Sequence, residues 1–328
     1  MVQGCENAKP ALRRAPQVSY RHAGPDEVLR ESGTLAVFGF GAGAVRSSDP
    51  RWLGVDLESF DAPVPLEVWR VDGPVSQGRE GDVQWSAGDG WLFAAITLDE
   101  HEHGGPRDTA REAYAQLCRL LATRGERHVQ RLWNYLGDIN QGEGDVERYK
   151  QFCDGRASGM GEVFADGFPA ATAIGHHAAA PRLQVYLLAC DEPGQRVENP
   201  RQVSAWRYPR QYGRTPPSFA RAMRLPADDA LAISGTAAVV GHASTHDDDL
   251  LAQLGETLTN LEALLQSADM TAGFDTQSPL KAYVRQPTDA PLVHDFLQHR
   301  LPGVPVLLLH GDICRQELLV EIDGWRYA

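Results

Sequence analysis

The chain has 328 residues, 42% of them hydrophobic and 23% charged, and a net charge of −13. That composition is ordinary for a globular protein, and the length suits two domains. The acidic balance argues against a nucleic-acid partner, which would call for a basic face, and no apolar run approaches the roughly 20 residues that span a bilayer.

The first ten residues, MVQGCENAKP, lack the apolar core of a secretory signal. The five cysteines, Cys5, Cys118, Cys153, Cys190 and Cys314, are odd in number and form no CxxC pair. That pattern reads as reduced thiols in a cytoplasm. The segment FGFGAGA (38–44) is glycine-rich. It lacks a GxGxxG that opens a helix, so it reads as a strand and turn and not as a nucleotide site. A strand is expected at WLFAAITL (91–98). The pairs His101 with His103 and His176 with His177 bring no third ligand at a zinc spacing, so no metal is expected.

Residues 109–124 carry Ala113, Leu117, Leu120 and Leu121 at helical spacing. Thr109 and Glu112 would form a capping box, and Gly125 a stop. HVQRLWNYLGDIN (128–140) reads as a strand, ERYKQFCDGR (147–156) as a short helix, and ATAIGHHA and LQVYLLA as two strands. Residues 195–228 are rich in arginine, proline and aromatic residues. They suit a linker, or a loop lining an anion pocket, because arginine recognises carboxylates through a planar fork.

The earlier order then returns. A strand-like run (230–242) precedes a long leucine-spaced helix (248–266), which Asp247 or Asp248 would cap. A strand at 280–287, a helix at 290–301 and strands at 304–314 and 318–324 follow. Strand, long helix, strand, short helix, strand, strand thus occurs twice, about 140 residues apart, which suggests duplication of a domain. The bland alternative is two unrelated segments that share common elements by chance. The expected fold is α+β, with helices on one face of each mixed sheet. The expected division is 1–194, an N-terminal half with an extra leading segment, and 195–328, the arginine-rich insert and a second half.

In LLVEID, side chains alternate. Leu318, Val320 and Ile322 should face the helices, and Leu319, Glu321 and Asp323 the other side, where one sheet meets its partner. A carboxylate there can line an interdomain pocket, although most strand glutamates are solvated or ion-paired. Tyr149 and Arg156 lie two helical turns apart, with Gly155 a candidate break between them.

ISG (233–235), the helix at 252–265 and LLVEI (318–322) resemble a YjgF/RidA-like domain. A narrower string is LWNYLGDIN (132–140), ERYKQFCDGR (147–156), RYPRQYG (207–213), PSFARA (217–222), SGTAAVVGH (234–242) and DICRQELLVEI (312–322). It resembles the chorismatases, which join two YjgF-like (chorismate-mutase-like) halves in one chain. The match spans roughly residues 130–325; the first 85 residues add little to it.

The resemblance implies a cofactor-free enzyme that removes the enolpyruvyl side chain of chorismate as pyruvate. It makes Glu321 the general acid and Cys314 the residue that steers the intermediate towards 3-hydroxybenzoate. At Ala237, alanine resembles the hydrolytic members, so the product pattern is mixed and 4-hydroxybenzoate is also open. Tyr149, Arg156, Tyr208 and Arg221 are the implied substrate contacts, with Arg207, Arg210, Arg214 and Arg285 as competitors for its two carboxylates. Without the resemblance, Cys314 reads as a small core residue. The alternatives are hydrolysis of chorismate to a dihydroxycyclohexadiene carboxylate, a YjgF-like enamine/imine deaminase, and a binding or RNA-interacting module without catalysis. An oligomer is allowed but not required.

Overall fold

The computed structural model describes residues 14–45, 47–227, 230–270 and 273–328, so Cys5 lies outside the described residues. The leading segment builds β1 (Gln17–Arg21), α1 (Pro25–Arg30), β2 (Thr34–Phe40), β3 (Trp52–Val55) and β4 (Leu66–Arg70), a sheet of order β1-β4-β2-β3. FGFGAGA is the end of β2 and its turn, with Gly41 at φ +81°.

The first half follows as β5 (Ser76–Glu80), β6 (Val83–Gly88), β7 (Trp91–Asp99), α2 (Glu100–His103), α3 (Pro106–Ala122), β8 (His128–Gly137), α4 (Arg148–Gly159), β9 (Ala170–His176) and β10 (Arg182–Cys190). The second half is β11 (Gln195–Val197), β12 (Ala222–Arg224), β13 (Leu231–Thr236), β14 (Val239–Val240), β15 (Ala243–Ser244), α5 (Leu250–Ser267), β16 (Leu280–Val284), α6 (Ala290–Arg300), β17 (Val306–His310), β18 (Asp312–Ile313) and β19 (Val320–Arg326). The two large sheets run β18-β9-β8-β10-β7-β6-β5 and β11-β12-β13-β19-β16-β17. The doubled order of elements is the one the sequence suggests, and both halves are α+β. The boundary at 194/195 falls between β10 and β11, yet β18 of the second half pairs with β9 of the first.

The leading segment does more than precede the halves. Its sheet closes the third side of one core. Trp69 of β4 is fully buried, with ring centroids 4.9 Å from Phe38, 5.9 Å from Phe93, 5.3 Å from Trp133 and 5.7 Å from Trp325. The outer faces of the two large sheets carry α3 with α4, and α5 with α6, each over its own apolar layer. One polar line crosses the inner core. Lys281 of β16 is 3.1 Å from Glu67 of β4 and donates to the Tyr186 hydroxyl of β10 at 3.3 Å. All three sheets meet in that line.

Helix ends depart from the expected caps. Pro106, whose ring presets a helical φ, starts α3 three residues before Thr109. Thr109 is therefore interior, and its hydroxyl donates to Gly105 O at 2.7 Å. The helix stops at Thr123, not Gly125. Asp249 caps α5 by accepting from Ala252 N at 3.0 Å; Asp247 and Asp248 do not, and Asp248 occupies a left-handed turn position. The alternation expected from Leu318 holds only from Val320, where β19 begins. Leu318 packs with Ala237 and Ile313, while Leu319 reaches the helical layer.

α4 runs unbroken through Gly155. A Cβ there would collide with Arg107 O of α3, so this glycine serves close helix packing and not a break. Gly155→Ala should destabilise the fold by about 1–3 kcal/mol, the usual penalty of overpacking, read as a fall in Tm.

Candidate active site

The strand β19 lies between β13 and β16 and turns Val320 and Ile322 towards the helices. Glu321 and Asp323 consequently point into the seam between the two large sheets. Asp323 is fully buried. Its Oδ2 accepts from Arg131 at 3.0 Å, Trp133 Nε1 at 2.9 Å, Thr172 Oγ1 at 2.7 Å and Tyr283 OH at 2.9 Å. Three of these donors come from β8 and β9, so the second half is hydrogen-bonded into the first. Its Oδ1 has no partner among the described residues.

Glu321 sits one pleat away, 6% exposed, on the wall of a cavity of about 540 Å³. Burial raises its pKa to about 8, and the Asp323 charge adds to the rise; Arg131, Arg221 and Arg315 oppose it. Near neutral pH the carboxyl is therefore mostly protonated, as a general acid must be. Gly235 of β13 makes room for it, since any Cβ there would strike Glu321 Oε1. The Gly235 N–H donates to Thr172 Oγ1 at 3.0 Å, which ties this approach to the Asp323 cluster.

The loop before β19 brings Cys314 and Arg315 to the same cavity, and α4 contributes Tyr149. Burial pushes the Cys314 thiol up to about 12, with the Glu321 charge adding to it. At working pH it is a thiol and not a thiolate. The arginine-rich insert supplies Tyr208 and Arg221. Arg221 donates to the Tyr208 hydroxyl at 2.6 Å and to Val203 O at 2.9 Å; its Nε has no partner among the described residues. Ala237 also lines the wall. Glu321, Cys314, Tyr149, Tyr208 and Arg221 thus converge from four separate parts of the sequence.

Arg156 stands apart. It is buried behind the wall, donates to Ser218 O at 2.8 Å and lies over the Tyr114 ring at 5.3 Å. It holds the strand of chain that presents Phe219 and Arg221. The competing arginines are also accounted for. Arg207 is exposed. Arg210 and Arg214 clasp Asp145 near the cavity mouth, at 2.7 and 2.9 Å, and hold its carboxyl down to about 2. Arg285 is engaged by protein acceptors.

Arg315 is the cation that sequence reasoning missed. It lies 4.0 Å over the Tyr212 ring, and one nitrogen donates to His242 O and Ser244 Oγ at 2.9 and 3.0 Å. It lines the cavity and, like Arg221, acts on Glu321. Its place directly after Cys314 was the available signal. Among the described residues no group of three His, Cys, Asp or Glu side chains is arranged for a metal ion, and no helix is long and apolar enough to cross a membrane. His103 Nδ1 contacts Asp99 O, His176 Nε2 contacts Arg182 O, and His177 stacks on His310 at 4.2 Å.

A concave site with a protonated buried carboxyl, a thiol and two guanidiniums is that of an enzyme acting on an anionic small molecule. Residues 67–189 match the family described as "Chorismatase FkbO/Hyg5-like, N-terminal". The chain is 35% identical to a 3-hydroxybenzoate synthase of Streptomyces hygroscopicus, over 83% of this chain and 84% of that one. It is 32% identical to a chorismatase of Streptomyces hygroscopicus, over 98% and 97%. A crystal structure of a chorismatase superposes with a TM-score of 0.85 at 31% identity, covering 98% of this chain and all of that one. The chain belongs to the chorismatase family.

Asp323→Asn removes a negative neighbour of Glu321 and leaves the Arg131 charge uncompensated. Both changes favour the ionised carboxylate, so the Glu321 pKa should fall below its value of about 8. The same variant should lose about 3–5 kcal/mol of stability through the broken buried pair. Carboxyl titration by carbon NMR and a melting curve check the two effects separately.

Proposed function

We propose that this enzyme cleaves the enolpyruvyl ether of chorismate and releases pyruvate with a hydroxybenzoate, chiefly 3-hydroxybenzoate. The observation that carries the reading is the Glu321 carboxyl, held protonated on the wall of a cavity that also presents Cys314, Arg221 and Arg315. The relatives named above support the same substrate and product class.

Glu321 delivers its proton to the terminal methylene carbon of the vinyl ether. The adjacent carbon becomes an oxocarbenium ion. The bond from ring carbon to ether oxygen then breaks, its electron pair stays on oxygen, and neutral keto acid departs as pyruvate. The ring cation loses a proton, which the Glu321 carboxylate can take back, so the acid is restored and no water is consumed. Direct loss of the proton beside the ring hydroxyl gives 4-hydroxybenzoate. The 3-isomer requires the hydroxyl oxygen to bridge to the neighbouring carbon first. Water capture of the cation gives the dihydrodiol instead. Cys314, as a neutral thiol, is placed to favour the bridged course over water.

Two carboxylates on the substrate ask for two cations. Arg221 and Arg315 fill that role, with the Tyr149 and Tyr208 hydroxyls beside them; Arg156 acts through the Ser218 carbonyl. No organic cofactor or metal enters these steps. Among the described residues, the cysteines left free at 118, 153 and 314 accord with a cytoplasmic setting.

Glu321→Gln keeps shape and polarity but has no proton to give, so pyruvate release should fall by about 10²–10⁴-fold. In the wild type, turnover should be full below the Glu321 pKa and decline as pH rises through about 8, because the acid form disappears. A variant with near wild-type release, followed by coupled pyruvate assay, removes Glu321 from the mechanism. Arg221→Ala should weaken chorismate binding through loss of a charge-assisted contact worth about 1.5–3 kcal/mol. An unchanged KM and kcat would mean that the carboxylates are held elsewhere.

A further inference from the structure

Arg285 follows β16 directly, and its side chain is 12% exposed. Every donor it owns is engaged. Nε donates to Leu318 O at 2.8 Å. Nη1 donates to Asn140 Oδ1 at 3.0 Å and Asp312 Oδ1 at 2.6 Å. Nη2 donates to Ile313 O at 2.8 Å and Arg315 O at 2.9 Å. Five N–H groups meet five acceptors, so no donor remains for a substrate carboxylate. Two of the carbonyls flank Cys314 on either side. Asn140, from the loop after β8 in the first half, adds a donation to Ile313 O at 3.1 Å. The backbone joins in, with Arg285 N donating to Leu319 O at 3.0 Å.

The loop gripped in this way is the one that carries Cys314 and Arg315 into the cavity. It is irregular chain, and apart from the short pairing of β18 with β9 no sheet ladder among the described residues fixes it. The backbone on both sides of Cys314 is therefore held by a side chain that does not itself line the cavity, while Gln253 of α5 holds the later part of the loop through Glu317 O and Leu319 N, each at 2.8 Å.

We infer that Arg285 is a positioning residue for product choice: it holds Cys314 against the reacting ring and so sets the ratio of hydroxybenzoate to dihydrodiol. The inference rests on the reading of Cys314 given above. Lysine at this position keeps the charge but offers three donors from one point and cannot reproduce the fork. A displacement of the sulfur on the order of an ångström is enough to lose its alignment with the ring.

The experiment compares wild type, Arg285→Lys, Cys314→Ala and the double variant by chromatography at equal chorismate consumption. A product ratio is counted per turnover, so a smaller folded fraction leaves it unchanged. Arg285→Lys should shift the ratio by about tenfold, towards the products of Cys314→Ala. The double variant should match Cys314→Ala, because there is no thiol left to misplace. Arg285→Ala should regain the wild-type ratio in part when guanidinium is added.

A wild-type ratio in Arg285→Lys beside a changed ratio in Cys314→Ala overturns the inference and spares the reading of the thiol. So does a double variant that departs further than Cys314→Ala alone. Wild-type ratios in both single variants overturn the role of the thiol and this inference with it, while chorismate cleavage by Glu321 stands on its own assay.

Discussion

The buried carboxylate of Asp323 is the constraint on which the rest of the molecule turns. A charge removed from water must be paired and hydrogen-bonded, or the fold does not tolerate it. Here the partners are Arg131 and Trp133 of β8, Thr172 of β9 and Tyr283 of β16. One oxygen therefore collects donors from both halves of the chain. The seam between the halves is aligned by these contacts, and Glu321 inherits its place from them.

The same seam explains the chemistry. Two carboxyls on one face of a strand repel each other when both are charged. Asp323 has a guanidinium and three further donors on Oδ2, whereas the Glu321 side chain accepts no hydrogen bond among the described residues. Burial and the neighbouring Asp323 charge accordingly keep the proton on Glu321. This is how environments separate two similar groups into a structural charge and a working acid. Gly235 completes the arrangement by letting the acid lie flat against β13.

Much of this was legible in the residues. The leucine spacing of α3 and α5 and the repeated order of elements gave the doubled α+β plan. The alternation around Glu321 placed it and Asp323 on the seam face. What stayed hidden had no local signature. The leading segment contains short strands without a helix-length pattern, and nothing in Glu67 or Trp69 announces that β4 closes a third side of the core. Arg131 and Thr172 looked like ordinary strand residues, because their partner is up to 192 positions away. Arg285 and Arg315 could not be told apart by composition: one is saturated by protein acceptors and the other open to the cavity, a difference of geometry alone. The caps were misplaced for a local reason, since Pro106 and Asp249 each offered a better start than the motif chosen.

The long reach of Asp323 also bears on the order in which the chain gains its form. Its donors at 131, 133 and 172 lie 151–192 positions before it, and β19 must slot between β13 and β16. Contacts of such separation close late, because the loop entropy is lost before they repay it. Until that closure, position 321 is an ordinary glutamate in water, ionised at neutral pH and without a proton to lend. Acidity at this residue is thus a property of the finished tertiary structure, and its appearance during refolding would time the moment at which the halves lock.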